Sequence, residues 1–434
     1  MRLDKIRLLN FNCFKERLLE LAPRFNLIVG DNATGKTTLL NGMAVGLGAL
    51  FLGFPSPAEA RSIDREEARL EFFQLGDSPT SERQFPVQVS CSGVVDGKEI
   101  IWQRELRSEE GRTTRQVATL IENVANELKK KVKSGTEALL PVLSFYGTGR
   151  LWVQKRQREI KTLKPDSRFM GYLDCLKPAS DVKRLLEWFK TQEISAIQAG
   201  IPNNTLEACR RAILSCVPDA TKVFFDIKRD QLTIELPGRS LPFSYLSDGF
   251  RSMLAMVADI AVRCATLNPH LQDKAAEETT GVVLIDELDL HLHPKWQRRV
   301  IGDLLKAFPK IQFVGTTHSP FVIQSLPPGD GMKLINLDNP DANEFVNKSV
   351  EDITEGVQGV DIPQRSKRWM DMMEAAKRYF ALLQQSNHDD VNKETIQRLR
   401  NELNELSLPF SDDPAFQALL HSEREASGID KDVE

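Results

Sequence analysis

The sequence predicts an α/β fold: a parallel core sheet with a mixed or antiparallel sheet flanking it, a compact helical insertion, and a C-terminal helical hairpin. Three observations carry this reading. Apolar runs of strand length, Asn26–Val29, Gly281–Ile285 and Ile311–Gly315, each end in a polar turn, as strands buried on both faces of a parallel sheet do. A glycine-rich octapeptide follows the first run and leads directly into a helical pattern. Between Leu151 and Asp219 the strand signals give way to charge and helical periodicity.

Taken in order, Leu3–Leu9 and Leu18–Leu21 read as short strands, Asn26–Val29 as a buried one, and a helix is expected from Gly35. Past Phe54 the alternation in Phe85–Val89 and the run Glu99–Trp102 suggest a meander flanking the core. The helical insertion is punctuated at Lys164-Pro165-Asp166 and Gly200–Asn204. An amphipathic helix is expected over Phe250–Leu267, then the strand Gly281–Ile285, a helix after Pro294, and strands at Ile311–Gly315 and Lys333–Leu337. Trp369, Met372, Met373, Ala376, Phe380 and Leu383 recur at helical spacing, as do Ile396, Leu399, Leu403 and Leu406. These two stripes either bury each other as an αα-hairpin or offer a surface to a partner. The resulting division is residues 1–150 as an N-terminal lobe, 151–219 as the insertion, 220–348 as a C-terminal lobe and 349–434 as a helical partner-binding region.

With 41% hydrophobic and 27% charged residues, a chain of 434 residues can bury a sizeable core and is not a disordered one. It lacks an N-terminal secretion signal and any apolar run long enough to span a bilayer, so a cytoplasmic location is expected. Six scattered cysteines lack the close pairing of a zinc or redox site. A net charge of -4 gives no global attraction to nucleic acid, so any DNA contact requires a local basic patch.

The octapeptide Gly30-Asp31-Asn32-Ala33-Thr34-Gly35-Lys36-Thr37 fits the phosphate-binding pattern GxxxxGK[ST] at every position, between an apolar strand and a helix. Backbone N–H groups at Gly30, Asn32, Ala33, Thr34, Gly35 and Thr38 would cradle the phosphates of ATP, helped by the helix N-terminus. Lys36 would reach the β- and γ-phosphates, and Thr37 would ligate Mg²⁺. Asp286 and Glu287 end the strand Val282–Ile285, where parallel sheets bind ligands. Asp286 would hold the Mg²⁺ shell, and Glu287 would orient and deprotonate the attacking water. His318 follows the strand at Ile311; alone it is an ordinary polar residue, but after that strand it is placed to sense the γ-phosphate. Ser247 and Gly249 open the helix that begins near Phe250, either as a simple cap or as an anion-binding N-terminus.

The order of these motifs resembles the ABC-type ATPases of the SMC and RecF group. Leu246-Ser247-Asp248-Gly249-Phe250 looks like the LSGGQ signature, with Asp248 replacing a glycine and Phe250 the glutamine. The resemblance implies that Ser247 and Gly249 reach the γ-phosphate bound by a second copy, so that ATP is sandwiched in a homodimer. Asn12 stands where many relatives carry a basic residue that touches nucleotide. Leu288–Pro294 is similar to the prokaryotic defence branch, with His291 and His293 expected to shape a dimer loop. Phe145–Trp152, Gly171–Leu176, Ser349–Ile353 and Gly359-Val360 resemble the ATPase subunit of Septu anti-phage systems, the PtuA-like proteins. That narrower resemblance implies control of a separate HNH nuclease, a PtuB-like partner, acting on DNA.

Two other functions share the ATP residues. A RecF- or SMC-like repair or chromosome-maintenance ATPase would lack a nuclease. An ATPase–nuclease of the overcoming-lysogenisation or Gabija type would need a long acidic Toprim domain after Pro320, where about a hundred residues remain, most of helical pattern. Arg150 is a candidate for communication between nucleotide and insertion, or a surface arginine. The stretch Arg150, Lys155, Arg156, Arg158, Lys161 and Lys164 is either a DNA-facing patch or a solvated helix face.

Overall fold

The computed structural model describes residues 1–55, 60–75, 78–149, 167–178, 182–217, 219–339, 345–385 and 393–410. Its strands, in chain order, are β1 (Arg2–Phe11), β2 (Phe14–Glu20), β3 (Phe25–Val29), β4 (Leu70–Leu75), β5 (Ser78–Arg83), β6 (Val87–Val95), β7 (Lys98–Leu106), β8 (Val142–Tyr146), β9 (Lys222–Asp226), β10 (Gln231–Leu236), β11 (Arg239–Pro242), β12 (Gly281–Ile285), β13 (Ile311–Thr316) and β14 (Met332–Asn336). Five of them form a parallel sheet in the order β14-β3-β13-β12-β8. Every residue of β3, β8, β12 and β13 is buried, which is why these strands read as unbroken apolar runs instead of alternating ones.

An antiparallel sheet of order β2-β1-β6-β7 flanks this core, with the two-stranded β4-β5 ribbon and the three-stranded β11-β10-β9 meander beside it. In β6 buried and half-buried residues alternate strictly, the mark of a sheet with one face on the core. This is the fold of a P-loop ATPase core with a mixed and antiparallel flank. The expected strands at Leu3, Asn26, Gly281, Ile311 and Lys333 all lie in it. No strand was expected between Trp102 and Leu151, yet β8 forms the edge of the core sheet there, after the helix Thr119–Lys133. Ser144 breaks its apolar run in sequence but is itself buried by the pairing with β12.

Within the insertion the described residues form a short turn at Arg168–Tyr172 and the helices Val182–Ala199 and Asn204–Cys216. Asn203 starts the second, its side chain accepting from the Leu206 amide at 3.1 Å. Arg150, Lys155, Arg156, Arg158, Lys161 and Lys164 lie outside the described residues, as does the turn Lys164-Pro165-Asp166.

The chain divides into two compact units, Met1–Gln358 and Gly359–Glu434. In the second, the helices Lys367–Gln385 and Lys393–Ser407 form a hairpin: Met372, Ala376 and Tyr379 are buried with Leu399 and Leu403, and Trp369, Met373, Phe380, Ile396 and Leu406 pack around them. The apolar stripes therefore cover each other. Among the described residues no helix is long and apolar enough to cross a membrane.

Candidate functional site

Because the core strands run parallel, the loops after β3, β12 and β13 leave the same edge of the sheet and converge. The loop after β3 turns sharply at Gly35, whose φ of 96° lies in the left-handed region. A Cβ there would also stand 2.5 Å from the Phe14 ring and 2.7 Å from Cys13 Sγ, so both the turn and the packing require glycine. The Lys36 ammonium folds back over the loop, donating to the carbonyl oxygens of Gly30 at 2.8 Å and Asp31 at 2.7 Å. Burial pushes its pKa below the ordinary lysine value, while Asp338, Asp286, Asp31 and Glu287 pull the other way. The Asp31 amide donates to Asp338 Oδ2 at 2.8 Å, anchoring the loop to the turn after β14.

Asp286 is held on both oxygens. Thr37 Oγ1 donates to Oδ2 at 2.8 Å and Thr316 Oγ1 to Oδ1 at 2.7 Å. Thr316 also accepts from the Glu287 amide at 2.8 Å, so one hydroxyl from β13 fixes both acidic residues. Glu287 adopts φ 48°, unusual for a residue with a Cβ, and is half-buried. Thr37 and Asp286 bring two hard oxygen donors together, the chemistry that suits a hard divalent cation.

The structure brings Asn32, Ala33, Gly35, Lys36, Thr37, Thr38, Asp286, Glu287 and His318 into the lining of one cleft of about 610 Å³. His318 is exposed there, with its carbonyl accepting from Gln358 Nε2 at 2.6 Å. Asn12 also lines it, at a φ of 47°. The rest of the wall comes from residues the sequence did not single out: Cys13, Glu66, Ala68, Leu70 and Phe72. Phe72 is 73% exposed, an unusual placement for a phenyl ring, and adds apolar surface to the lining.

Ser247 and Gly249 do not line this cleft. Ser247 caps the helix Asp248–Leu267 through its backbone, with an exposed side chain that makes no cap hydrogen bond. Gly249 sits against the turn after β12, where an added Cβ would fall 1.9 Å from the His291 carbonyl oxygen. Phe250, in the place of the signature glutamine, packs edge-on to Trp296 with ring centroids 4.9 Å apart. His293 accepts from the Lys295 amide at 3.2 Å and so caps the short helix Pro294–Gln297.

A chain of hydrogen bonds joins the helix Asp248–Leu267 to the cleft. The Asp286 amide donates to the Tyr146 carbonyl at 2.8 Å. Tyr146 OH donates to Asp259 at 2.7 Å, and Arg263 donates to the same carboxylate at 2.7 Å and to the Gly171 carbonyl at 2.8 Å. Burial raises the Asp259 pKa, but Arg263 and then Arg184 outweigh it, and the carboxyl stays below its ordinary value. No sequence motif marks Asp259 or Arg263, since their partners lie on distant elements.

Comparison with known proteins agrees with this geometry. An AAA domain model matches residues 5–208, and a second AAA domain model matches residues 224–324. The chain is 40% identical to a retron Vc95 probable ATPase from Vibrio cholerae serotype O1 biovar El Tor over 121 residues, covering 26% of this chain and 23% of that protein. It is 32% identical to the Septu protein PtuA of Bacillus mycoides (strain KBAB4) over 162 residues, 36% of this chain and 22% of PtuA. The chain is thus similar, over part of its length, to ATPases that include a Septu PtuA. A third relative, an OLD nuclease from Thermus scotoductus (strain ATCC 700910 / SA-01), is 24% identical over 78% of this chain and 63% of its own length. The chain spans about a quarter of the length of the first two relatives.

Proposed function

We propose that the chain is the ATP-binding and hydrolysing regulatory subunit of an anti-phage defence complex, which closes as a homodimer round ATP and controls a separate HNH-type, PtuB-like nuclease acting on DNA. The observation that carries the ATP part is the single cleft holding Lys36, Thr37, Asp286, Glu287 and His318. In this reading Gly30, Asn32, Ala33, Thr34, Gly35, Lys36, Thr37 and Thr38 hold the phosphates. Thr37 and Asp286 would hold Mg²⁺, which neutralises phosphate charge when bound. Glu287 takes the proton of the attacking water, and His318 reads the γ-phosphate. The defence role is supported by the likeness to PtuA, and cytoplasmic action fits a DNA target.

Dimerisation is supported by what the cleft lacks. An exposed Ser247 at a helix N-terminus, outside its own chain's cleft, is suited to a partner's phosphate. Ser247→Arg is expected to fold normally but to block the ATP sandwich. In a mixed dimer with Lys36→Ala, both defects fall in one composite site and leave the other intact. Partial ATPase recovery on mixing is the expected result; no recovery, with mixed dimers shown to form, would count against shared sites.

The OLD nuclease similarity favours a second reading, an ATPase that itself cuts DNA. Cleavage assays separate the two. The purified chain is expected to leave DNA intact and to support cleavage once an HNH partner is added. Deletion from Gly359, the start of the second compact unit, is expected to weaken that association and spare ATP binding. Robust cleavage by the isolated chain would establish the second reading instead.

A further inference from the structure

Strand β7 turns Trp102, Arg104 and Leu106 inward, exposing 0%, 2% and 2% of them. Arg104 therefore occupies a core-facing position in an otherwise apolar row. Its Nε and Nη1 have no hydrogen-bond partner among the described residues. Burial, and after it the like charge of Arg115, push the guanidinium down to about 10, against the pull of Glu122. Among the described residues no carboxylate pairs with it at ion-pair distance, so the charge is only weakly offset, an unfavourable arrangement unless something neutralises it.

Arg104 lines a recess of about 510 Å³, together with Arg112, Arg115, Ser62 and Thr113. Arg112 and Arg115 are exposed, and no Asp or Glu is among the described residues of the wall. Thr113 Oγ1 accepts from the Ile63 amide at 2.9 Å and donates to the Ile63 carbonyl at 3.3 Å, which fixes that wall. This recess shares no lining residue with the ATP cleft.

We propose that the recess is a second anion site, which takes the phosphate monoester of a phosphorylated ligand. Arg104 makes the inner contact and Arg112 and Arg115 the outer ones. A guanidinium presents a planar fork of donors that matches phosphate oxygens in pairs, and the volume is that of a small-ligand pocket. A stiff duplex backbone would meet Arg112 and Arg115 without reaching Arg104. A free nucleotide or the phosphorylated end of a single strand would reach all three. This inference is independent of the ATPase reading, because it rests on different residues.

Crystals of the full chain soaked in tungstate, a tetrahedral dianion with an anomalous signal, are expected to show a peak at Arg104 as well as at the P-loop. A peak at the P-loop alone would overturn the proposal. By calorimetry with inorganic phosphate, Arg104→Met is expected to weaken one site per chain by roughly tenfold or more, the scale of losing charge-assisted hydrogen bonds. Methionine suits the apolar row, and the exposed pair Arg112→Ser with Arg115→Ser gives a second variant that should weaken the same site without touching the core. Equal phosphate binding by all three proteins would overturn the proposal. Adenosine monophosphate displacing the phosphate would identify a free nucleotide as the source. Displacement by a 5′-phosphorylated oligonucleotide, and not by its 5′-hydroxyl counterpart, would identify a strand end. Tungstate in the recess with no effect of phosphate, nucleotide or oligonucleotide would mean an adventitious ion only, and would end the proposal.

Discussion

Lys36→Ala is expected to abolish tight binding of ATP. Among the described residues lining the cleft, Lys36 is the one lysine or arginine, and the same lining carries the carboxylates of Asp286, Glu287 and Glu66. Without it, a triphosphate would enter a site whose remaining side-chain charges repel it. The ammonium is already desolvated and already bonded to two loop carbonyls. Transferring it to phosphate oxygens exchanges neutral acceptors for charged ones, and charge-assisted bonds are about twice as strong. Losing contacts to two phosphates, at about 1.5–3 kcal/mol each, weakens affinity by roughly 10² or more. Calorimetric titration with Mg·ATP is the measurement, and unchanged affinity would sink the phosphate-site assignment. The fold should survive, since removing a desolvated charge relieves a cost.

The part of the site that was legible in sequence is the part written contiguously. The loop Gly30–Thr37 carries its own glycines, cation and hydroxyl, and Asp286-Glu287 follow an apolar run that must be a buried strand. What joins them was not legible. Thr316 bridges Asp286 and Glu287 from another strand, 30 and 29 residues away, and a threonine ending a β-strand carries no signal of its own. Phe72 lies in a ribbon that is exposed on much of its surface, so no core-facing alternation marks it. Arg104 was hidden for the opposite reason, because an arginine in a strand reads as a solvated position. Gly249 has a place in a signature by sequence, and the structure adds a steric reason, the His291 carbonyl at 1.9 Å from its missing Cβ. The C-terminal stripes gave both helices and left open whether they cover each other or a partner; in the structure they cover each other.

Glu287→Gln is expected to keep ATP binding and to lower the turnover rate by roughly 10² to 10⁴, the usual scale for losing a positioned general base. The amide has the shape of the carboxylate, so the cleft should be preserved, and removing a negative charge near the phosphates favours binding if it changes it at all. What glutamine cannot do is accept the proton of water. Position matters as much as basicity here. Glu287 leaves β12 with a φ of 48°, and its amide is tied to Thr316 Oγ1, the hydroxyl that also holds Asp286. An uncommon backbone conformation held by a shared hydrogen bond costs folding energy and persists only where the surroundings impose it. Here it places a carboxylate in the cleft beside Lys36 and Thr37. Single-turnover hydrolysis measured alongside calorimetry separates the two effects, with the rate falling while the affinity holds or tightens. Turnover at the unaltered rate would mean that another group takes the proton; affinity lost with the rate would mean that Glu287 acts on binding and not on the chemical step.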